Sequence, residues 1–337
     1  MKRLIILHFL VVCMFGYTFA EDKPQNNKKI VVAYVTSWSK IMPDPNLITH
    51  INYAFGHINS SFNGLRIDNP ERLKEIVALK TQSPSLKIQL SIGGWGSGGF
   101  SEMADDDNLR NLFAKDCKRV VDEFLLDGID IDWEYPTADY AGIAANPDDT
   151  KNFTVLMRAI RKELGADKLL TLATIANARY INFAKIINDV DFVNIMAYDM
   201  ASPPFHHAGL HTSKYTKEIS VAEAVNLHLK AGVPPQKLVL GIPFYGRWGK
   251  EENSFIDYNK IIELKGYKQK WDKVAKAPYL VNEMGEFVCS FENERSIAEK
   301  CKFIKEKGLL GVMYWDYAGN DSQLTLSKAV AYGILLN

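Results

Sequence analysis

The sequence predicts a (β/α)8 barrel, and three observations support that fold class. Eight short apolar runs recur along the chain, helical patterns fill most of the gaps between them, and 337 residues are enough for the whole fold. Most of the runs are almost continuously apolar, as expected for parallel strands that are covered on both faces. The structural alternative, a doubly wound sheet, would need a glycine-rich phosphate loop after an early strand, and the sequence contains none.

The predicted strands and helices alternate along the chain. Strands are expected at 29–35, 48–55, 87–93, 128–134, 169–175, 190–198, 238–244 and 311–317. Helical spacing of apolar residues predicts helices at 69–82, 105–126, 148–165, 220–232, 293–308 and 321–335. This alternation favours parallel pairing with right-handed crossovers. The segment from about 249 to 290 breaks the rhythm, so we predict a small α+β insertion after the seventh strand, within a single domain spanning 21–337.

The first 20 residues are typical of a secretory signal peptide. Lys2 and Arg3 precede an apolar run, and a segment typical of a cleavage site ends at Ala20. The apolar run is short and is interrupted by His8, which argues against a membrane span, although an uncleaved anchor is the alternative. We therefore expect a secreted or periplasmic protein with no membrane span in its mature chain.

Composition limits the possible partners of the protein. The 40 basic and 40 acidic residues cancel, and no basic tract suggests a nucleic-acid partner. Outside the signal peptide, Cys117, Cys289 and Cys301 form neither a disulfide framework nor a metal-ligand pattern, and pairing of the last two is left open. We expect no cofactor and a monomeric protein.

The stretch DGIDIDWEYP, residues 127–136, is the main candidate for chemistry. Asp130, Asp132 and Glu134 alternate with Ile129, Ile131 and Trp133. Alternate residues of a strand share a face, and the face towards the helices must be apolar. We therefore expect the three acids to point into the barrel, with Glu134 nearest the carboxyl end, where active sites of this fold lie. Asp127 is out of phase with them and is predicted to be structural.

Three carboxyl groups stacked in a barrel cannot all ionise cheaply. Repulsion and burial raise the pKa of at least one of them, which keeps it protonated near neutral pH. Such a group can serve as a general acid, and Glu134 is the natural donor. Two other interpretations of the cluster stay open at this point: a site for a hard metal ion, and a structural cluster that caps turns or pairs with Arg247.

The same stretch resembles the D-x-x-D-x-D-x-E signature of glycoside hydrolase family 18, the chitinases and their relatives. Further segments resemble motifs of that family in the same order, namely LSIGGW (90–95), NIMAYDM (194–200), GIPFYGR (241–247) and GVMYWDY (311–317). The resemblance runs from about residue 29 to the C-terminus. The insertion after the seventh strand is shorter than in many members of the family, which implies a shallower groove, and no separate chitin-binding module is visible.

The resemblance implies retaining hydrolysis in which the 2-acetamido group of the substrate is the nucleophile. Asp132 and Glu134 point the same way from one strand, so they are poorly placed to flank a sugar as nucleophile and acid. Glu134 would protonate the glycosidic oxygen, Asp132 would orient the acetamido group, Asp130 would tune Asp132, and Tyr198 would hold the acetamido oxygen. The implied substrate-binding residues are Tyr34, Phe55, Trp95, Met196, Asp199, Tyr245, Arg247 and Trp315, although Tyr34 and Phe55 could equally belong to the barrel core.

Several functions fit these motifs. The leading prediction is a secreted chitinase-like hydrolase of β-1,4-linked N-acetylglucosamine oligomers or polymers. The nearest alternative is an endo-β-N-acetylglucosaminidase that cuts the chitobiose core of N-glycans, and the rivals from other classes are a non-catalytic chitin-binding lectin and a metal-dependent enzyme. His206 and His207 follow the sixth strand and are expected either on the polar surface or on the leaving-group side of the site.

Overall fold

The computed structural model describes residues 28–249 and 254–336, so the predicted signal peptide lies outside the described residues. The strands are β1 (Ile30–Thr36), β2 (His50–Ile58), β3 (Leu65–Ile67), β4 (Lys87–Gly93), β5 (Gly128–Asp132), β6 (Leu169–Ile175), β7 (Phe192–Met196), β8 (Leu238–Pro243), β9 (Tyr245–Trp248), β10 (Phe255–Asp257), β11 (Lys268–Asp272), β12 (Ala277–Val281), β13 (Phe287–Ser290) and β14 (Gly311–Trp315). The helices are α1 (Pro70–Val77), α2 (Phe100–Asp105), α3 (Asp107–Glu123), α4 (Asp149–Leu164), α5 (Phe183–Ile186), α6 (Val221–Lys230), α7 (Tyr258–Ile261), α8 (Glu294–Glu306) and α9 (Thr325–Ile334).

Eight of these strands close into a parallel barrel, which confirms the predicted (β/α)8 fold. The strand order is β1-β14-β8-β7-β6-β5-β4-β2, and β1 pairs with β2 to complete the circle. Every neighbouring pair in the circle is parallel. All eight carboxyl ends therefore meet at one mouth of the barrel, where loops from different strands can share a site.

Some elements differ from the prediction. The gap between β6 and β7 holds only α5, whose four residues are too short to produce a periodic apolar pattern. The predicted strand at 128–134 ends at Asp132, so Glu134 lies just beyond it at the barrel mouth. The short elements β3 and α2 were not predicted, because neither spans enough residues to show a period.

The insertion forms a second sheet of five antiparallel strands, in the order β10-β9-β13-β12-β11. It begins at Tyr245, earlier than the predicted segment, because the chain passes from β8 into β9 with only Phe244 between them. Its two ends are joined, since Arg247 of β9 is in register with Ser290 of β13. This close connection places Tyr245 and Arg247 on the insertion sheet and directly above the barrel.

The apolar side chains of β5, and Trp133 directly after it, face the helices, as predicted. Ile129 and Ile131 are completely buried, and Trp133 is 2% exposed. The Trp133 ring stacks on Phe100 of α2 with centroids 5.1 Å apart, and it lies 6.1 Å from Phe153 of α4. The acids that alternate with these residues must therefore point into the barrel.

Two further findings concern the described residues as a whole. Cys117, Cys289 and Cys301 are buried free thiols, so the last two do not pair. Among the described helices, none combines the length and the apolar character needed to span a bilayer.

We expect Trp133→Ala to lower the free energy of unfolding by about 3–5 kcal/mol, because it empties a packed site between the barrel and two helices. The matched control is Trp38→Ala, since Trp38 is 65% exposed and its loss leaves no internal cavity. Urea unfolding followed by circular dichroism measures both. Equal losses in the two variants would contradict the assigned packing of β5.

Candidate active site

A cavity of about 600 Å³ opens at the carboxyl-terminal mouth of the barrel. Its walls include eleven of the twelve predicted site residues, namely Tyr34, Phe55, Trp95, Asp132, Glu134, Met196, Tyr198, Asp199, Tyr245, Arg247 and Trp315. The twelfth, Asp130, lies beneath the cavity. Six lining residues were not predicted: Trp38, Tyr135, Tyr140, Ala173, Ile175 and Phe255.

Asp130 is a fully buried carboxyl group with four hydrogen-bond donors around it. Tyr34 Oη and Ser91 Oγ donate to Oδ2 at 2.7 and 2.8 Å, while Thr171 Oγ1 and Asn194 Nδ2 donate to Oδ1 at 2.5 and 3.3 Å. Burial raises the pKa of Asp130, and the four donors oppose that rise. This carboxyl group is fixed in place by the barrel core and has no exposed surface for a ligand.

Asp132 lies two residues closer to the barrel mouth than Asp130, and its carboxyl group is not surrounded by donors in the same way. It is 4% exposed, and its Oδ1 atom has no hydrogen-bond partner among the described residues. Burial raises the pKa of Asp132 well above its usual range, and the neighbouring charges of Glu134 and Asp130 add to the rise. A buried oxygen without a partner is costly, so this atom is placed to receive a donor from a ligand in the cavity.

The backbone beside Asp132 approaches it so closely that only glycine fits at the end of β4. Gly94 N–H donates to the Asp132 carbonyl at 2.9 Å. Gly93 has a φ of 125°, and a Cβ atom there would lie 2.0 Å from the same carbonyl oxygen. The pair of glycines in the LSIGGW segment therefore allows β4 to pack against the acidic end of β5.

Glu134 has the perturbed acidity expected of a proton donor. Burial is the main cause that raises its pKa from 4.5 to about 7, and the charge of Asp199 also raises it. The Tyr135 hydroxyl donates to Oε2 at 2.8 Å, which stabilises the ionised form and opposes the rise. Near neutral pH the group therefore exchanges its proton readily, as an acid–base catalyst must.

Asp199 is held on the opposite side of the cavity by two donors. Arg247 Nε donates to Oδ1 at 2.7 Å, and His207 Nδ1 lies 3.4 Å from the same oxygen. Burial alone would raise the pKa of Asp199, but His207 and Arg247 outweigh it and the pKa is lowered. The Arg247 guanidinium also lies 3.9 Å from the centre of the Phe255 ring.

Aromatic side chains form the floor of the cavity. The Trp315 ring lies 5.5 Å from Phe55 and 5.6 Å from Tyr34, so the two residues left open between core and site belong to both. The Tyr198 hydroxyl lies 4.0 Å from Met313 Sδ, a weak contact that leaves its proton available. Burial, together with the charge of Asp132, raises the pKa of Tyr198 well above its usual range, so the phenol remains a donor.

More exposed aromatic residues extend from the cavity along the surface. Trp95 and Tyr140 are 63% and 48% exposed. Between them the Tyr135 ring stacks on Tyr180 at 5.8 Å, and Tyr180 in turn contacts Tyr140 edge to face. Trp38 is exposed at the wall of the cavity. Flat apolar faces of this kind suit stacking against sugar rings that extend beyond the cavity.

The histidines of the loop after β7 are not where either expectation placed them. His206 and His207 are 2% and 0% exposed, so they lie neither on the polar surface nor in the cavity wall. The insertion sheet covers them, since His206 packs against Tyr279 of β12 and Phe287 of β13. A sequence-based assignment missed this burial because it depends on contacts across about 80 residues of chain.

Asp127 lies away from the cavity, at the other end of β5. Its carboxylate accepts the backbone N–H of Ile88 at 2.8 Å and pairs with Lys80 at 2.5 Å and Lys87 at 3.3 Å. Among the described ranges 28–249 and 254–336, no group of three or more histidine, cysteine, aspartate or glutamate residues is arranged to hold a metal ion.

Comparisons with known proteins agree with this geometry. The sequence profile described as glycosyl hydrolases family 18 matches residues 30–321. The chain is 30% identical to a protein named probable chitinase 2 from Drosophila melanogaster, over 94% of this chain and 78% of that one. A solved family 18 N-acetylglucosaminidase from Paenibacillus barengoltzii is 35% identical with a TM-score of 0.83, over 91% of this chain and all of that one. A chitinase structure from Rhizomucor miehei is 27% identical with a TM-score of 0.82, over 90% and 100%.

We expect Glu134→Gln to stabilise the fold by an amount that grows with pH. The folded pKa of about 7 exceeds the usual 4.5, so within that window the unfolded chain has released a proton that the folded chain retains. The wild type therefore loses stability as pH rises through the window, by up to about 3 kcal/mol, and glutamine does not.

Urea unfolding of both proteins at pH 5 and pH 8 measures this difference. The control is Glu71→Gln, because the Glu71 side chain is 76% exposed. A gap between wild type and Glu134→Gln that is the same at both pH values would contradict the raised pKa.

Proposed function

The chain belongs to glycosyl hydrolase family 18 and is a glycoside hydrolase, and we propose that it hydrolyses β-1,4 linkages of N-acetylglucosamine polymers or oligomers of the chitin type. The observation that carries this proposal is the pairing of two carboxyl groups at the end of β5. Glu134 has a pKa near 7, and Asp132 presents an oxygen without a hydrogen-bond partner among the described residues. One group suits proton transfer to a leaving oxygen, and the other suits an N–H donor of the substrate.

Glu134 acts twice in the proposed reaction. In its protonated form it donates to the glycosidic oxygen as the bond to the anomeric carbon breaks. The resulting carboxylate then removes a proton from the water that completes hydrolysis. A pKa near the working pH favours both steps, because neither protonation state is then rare.

We propose that none of the carboxylates described at the cavity is the nucleophile. Among the described residues, three carboxyl groups line the cavity, and Asp132 and Glu134 rise from the same end of β5. The third carboxyl group, Asp199, accepts a hydrogen bond from Arg247 at 2.7 Å, and its negative charge raises the pKa of Glu134. This arrangement supports substrate assistance, in which the 2-acetamido carbonyl attacks the anomeric carbon and forms an oxazolinium ion.

The other predicted residues have consistent roles in this mechanism. Asp132 would accept the acetamido N–H and stabilise the positive charge of the oxazolinium ion. Asp130 is fixed by its four hydrogen-bond donors, and its charge would tune the pKa of Asp132 from below. The Tyr198 hydroxyl would donate to the acetamido oxygen, and the Trp315 ring would support the sugar from beneath.

The exposed aromatic residues support a substrate longer than one sugar. Trp95, Tyr140 and Trp38 extend the apolar surface beyond the catalytic carboxyl groups. The relatives are named chitinase and N-acetylglucosaminidase, and both names refer to substrates made of N-acetylglucosamine. We also propose that the protein is secreted, with residues 1–20 removed as a signal peptide near Ala20.

We expect Glu134→Gln to abolish turnover of chitooligosaccharides while leaving their binding measurable, because glutamine keeps the shape of the side chain and loses the transferable proton. Product analysis by chromatography and binding by calorimetry test the two parts. The matched control is Glu71→Gln, with its exposed side chain, which should retain wild-type turnover. Turnover of Glu134→Gln near the wild-type level would rule out its role as the acid.

A substrate without the acetyl group tests whether the acetamido group is the nucleophile. Oligomers of glucosamine, which lack the acetyl group, should bind in the cavity without being cleaved. Cleavage of both substrates at similar rates would instead require a protein nucleophile.

We expect chitooligosaccharides to be cleaved at least about tenfold faster than the chitobiose core of an intact glycoprotein. We also expect Trp95→Ala to raise KM more for a hexamer than for a dimer, because only the longer chain reaches beyond the cavity. The measurements are initial rates with both substrate classes. Faster release of glycans would favour the endo-β-N-acetylglucosaminidase instead, and binding without any cleavage would favour a lectin.

A further inference from the structure

A buried polar segment lies behind Asp199, on the side away from the cavity. It contains His207, which is completely buried, and the ion pair between Glu292 and Lys300, whose side chains are 1% and 0% exposed. None of these three residues lines the cavity. Burying charged side chains is costly, so we expect these residues to hold a neighbouring group in place.

His207 is fixed in place by the backbone of its own loop and by the insertion sheet. Its carbonyl accepts from Met200 N–H at 3.1 Å, which closes the loop that begins beside Asp199. Its own N–H donates to Ser290 Oγ of β13 at 3.1 Å. The ring also packs 5.5 Å from Tyr245 of β9. The imidazole therefore has little freedom to move away from Asp199.

Asp199 needs such a support, because its backbone is strained. Its φ of 57° lies in the left-handed region, which a non-glycine residue adopts at a cost. His207 and Arg247 approach the same carboxylate oxygen, Oδ1, from different elements of the fold. The direction of the carboxylate is thus set by several groups, among them the cationic Arg247, the buried His207 and the Tyr245 hydroxyl.

The protonation state of His207 follows from its surroundings. Burial lowers its pKa, so the ring is neutral at neutral pH and carries one proton. Nδ1 faces the Asp199 carboxylate, which has no proton to donate, so the ring proton belongs on Nδ1. Nε2 then remains a lone-pair acceptor, and it has no hydrogen-bond partner among the described side chains.

We propose that His207 is a positioning residue for the glycosidase reaction: as a neutral Nδ1–H tautomer, it holds the Asp199 carboxylate in its ionised form and in its orientation towards Glu134. This role deepens the proposed function, and its kinetic test depends on that function. His207 touches neither the cavity nor the substrate. It acts through Asp199, whose charge raises the basicity of Glu134 when water is to be activated.

Other charged groups face this pair and are held constant in the test. Asp199 is faced by Arg247 and Tyr245 of β9, by Tyr198 beside it and by Glu134 across the cavity. His207 is faced by Asp199, Arg247, His206 and Glu292, and Glu292 is paired with Lys300.

Two nearly isosteric substitutions separate donation from packing. His207→Asn retains an N–H near the position of Nδ1, whereas His207→Leu fills a similar volume without a donor. Loss of the donor removes an interaction with ionised Asp199, so the pKa of Asp199 should rise by roughly half to one unit in the leucine variant and by clearly less in the asparagine variant, which keeps a donor. Carbon-13 NMR of labelled aspartate carboxyl groups measures it, with Asp199→Asn to assign the signal.

The kinetic readout is the pH profile of kcat on a chitooligosaccharide. In His207→Leu the acidic limb should move to higher pH by a similar amount, so that kcat falls below the wild-type value at the low pH where Asp199 titrates, while kcat at pH 7 and KM change less than about twofold. The physical reason is that protonated Asp199 no longer raises the pKa of Glu134, which leaves Glu134 a weaker base. His207→Asn should move the limb back towards its wild-type position.

A purely structural role for His207 would give a different result. Both variants would then lower Tm to a similar extent, while the pKa of Asp199 and the acidic limb stayed at wild-type values, and that outcome overturns the proposal. If the leucine variant does not fold, nitrogen-15 NMR of the wild-type imidazole decides. A proton on Nε2, or a doubly protonated ring at pH 7, equally overturns it.

The two NMR measurements need no substrate. They therefore test the support of Asp199 by His207 even if wild-type protein cleaves no chitooligosaccharide, an outcome that would count against the proposed function alone.

Discussion

Burial of carboxyl groups on the inner face of β5 is the constraint on which the rest of the site depends. A barrel core excludes water, so each acid there must be satisfied by hydrogen bonds or must hold its proton. Asp130 is satisfied by four donors, whereas burial raises the pKa of Asp132 and of Glu134, so these two hold their protons to higher pH than an exposed acid does. Asp132, between them, has an oxygen with no hydrogen-bond partner among the described residues. The chemical differences among three similar side chains thus follow from their depth in one strand.

The insertion sheet adds the second half of the electrostatic arrangement. It supplies Arg247 from β9 and covers His207 with β13, and both groups act on the carboxylate of Asp199. The negative charge of Asp199 then raises the pKa of Glu134 across the cavity. The acidity of a residue on the barrel is therefore adjusted from a sheet that is outside the barrel.

Much of this could be predicted from sequence, because the responsible patterns are local. The alternation of Ile129, Ile131 and Trp133 with the acids determines which face of β5 is buried, and the eight apolar runs indicate a closed barrel. The motifs also predicted eleven of the seventeen residues that line the cavity. Two features were not predicted. The burial of His206 and His207 is non-local, because it depends on the insertion sheet. The contact between the neighbouring residues Tyr135 and Glu134 is local, but it depends on the backbone conformation of the turn after β5.

The short passage from β8 into β9 limits how the groove of this protein can be remodelled. Phe244 alone separates the barrel strand from the strand that carries Arg247, and Arg247 is in register with Ser290 at the other end of the insertion. Added residues at either junction would shift the guanidinium that holds Asp199. Evolution or protein engineering can therefore deepen the groove by lengthening the chain between β10 and β12, where neither junction is disturbed. Loop grafting from longer relatives should follow the same boundary.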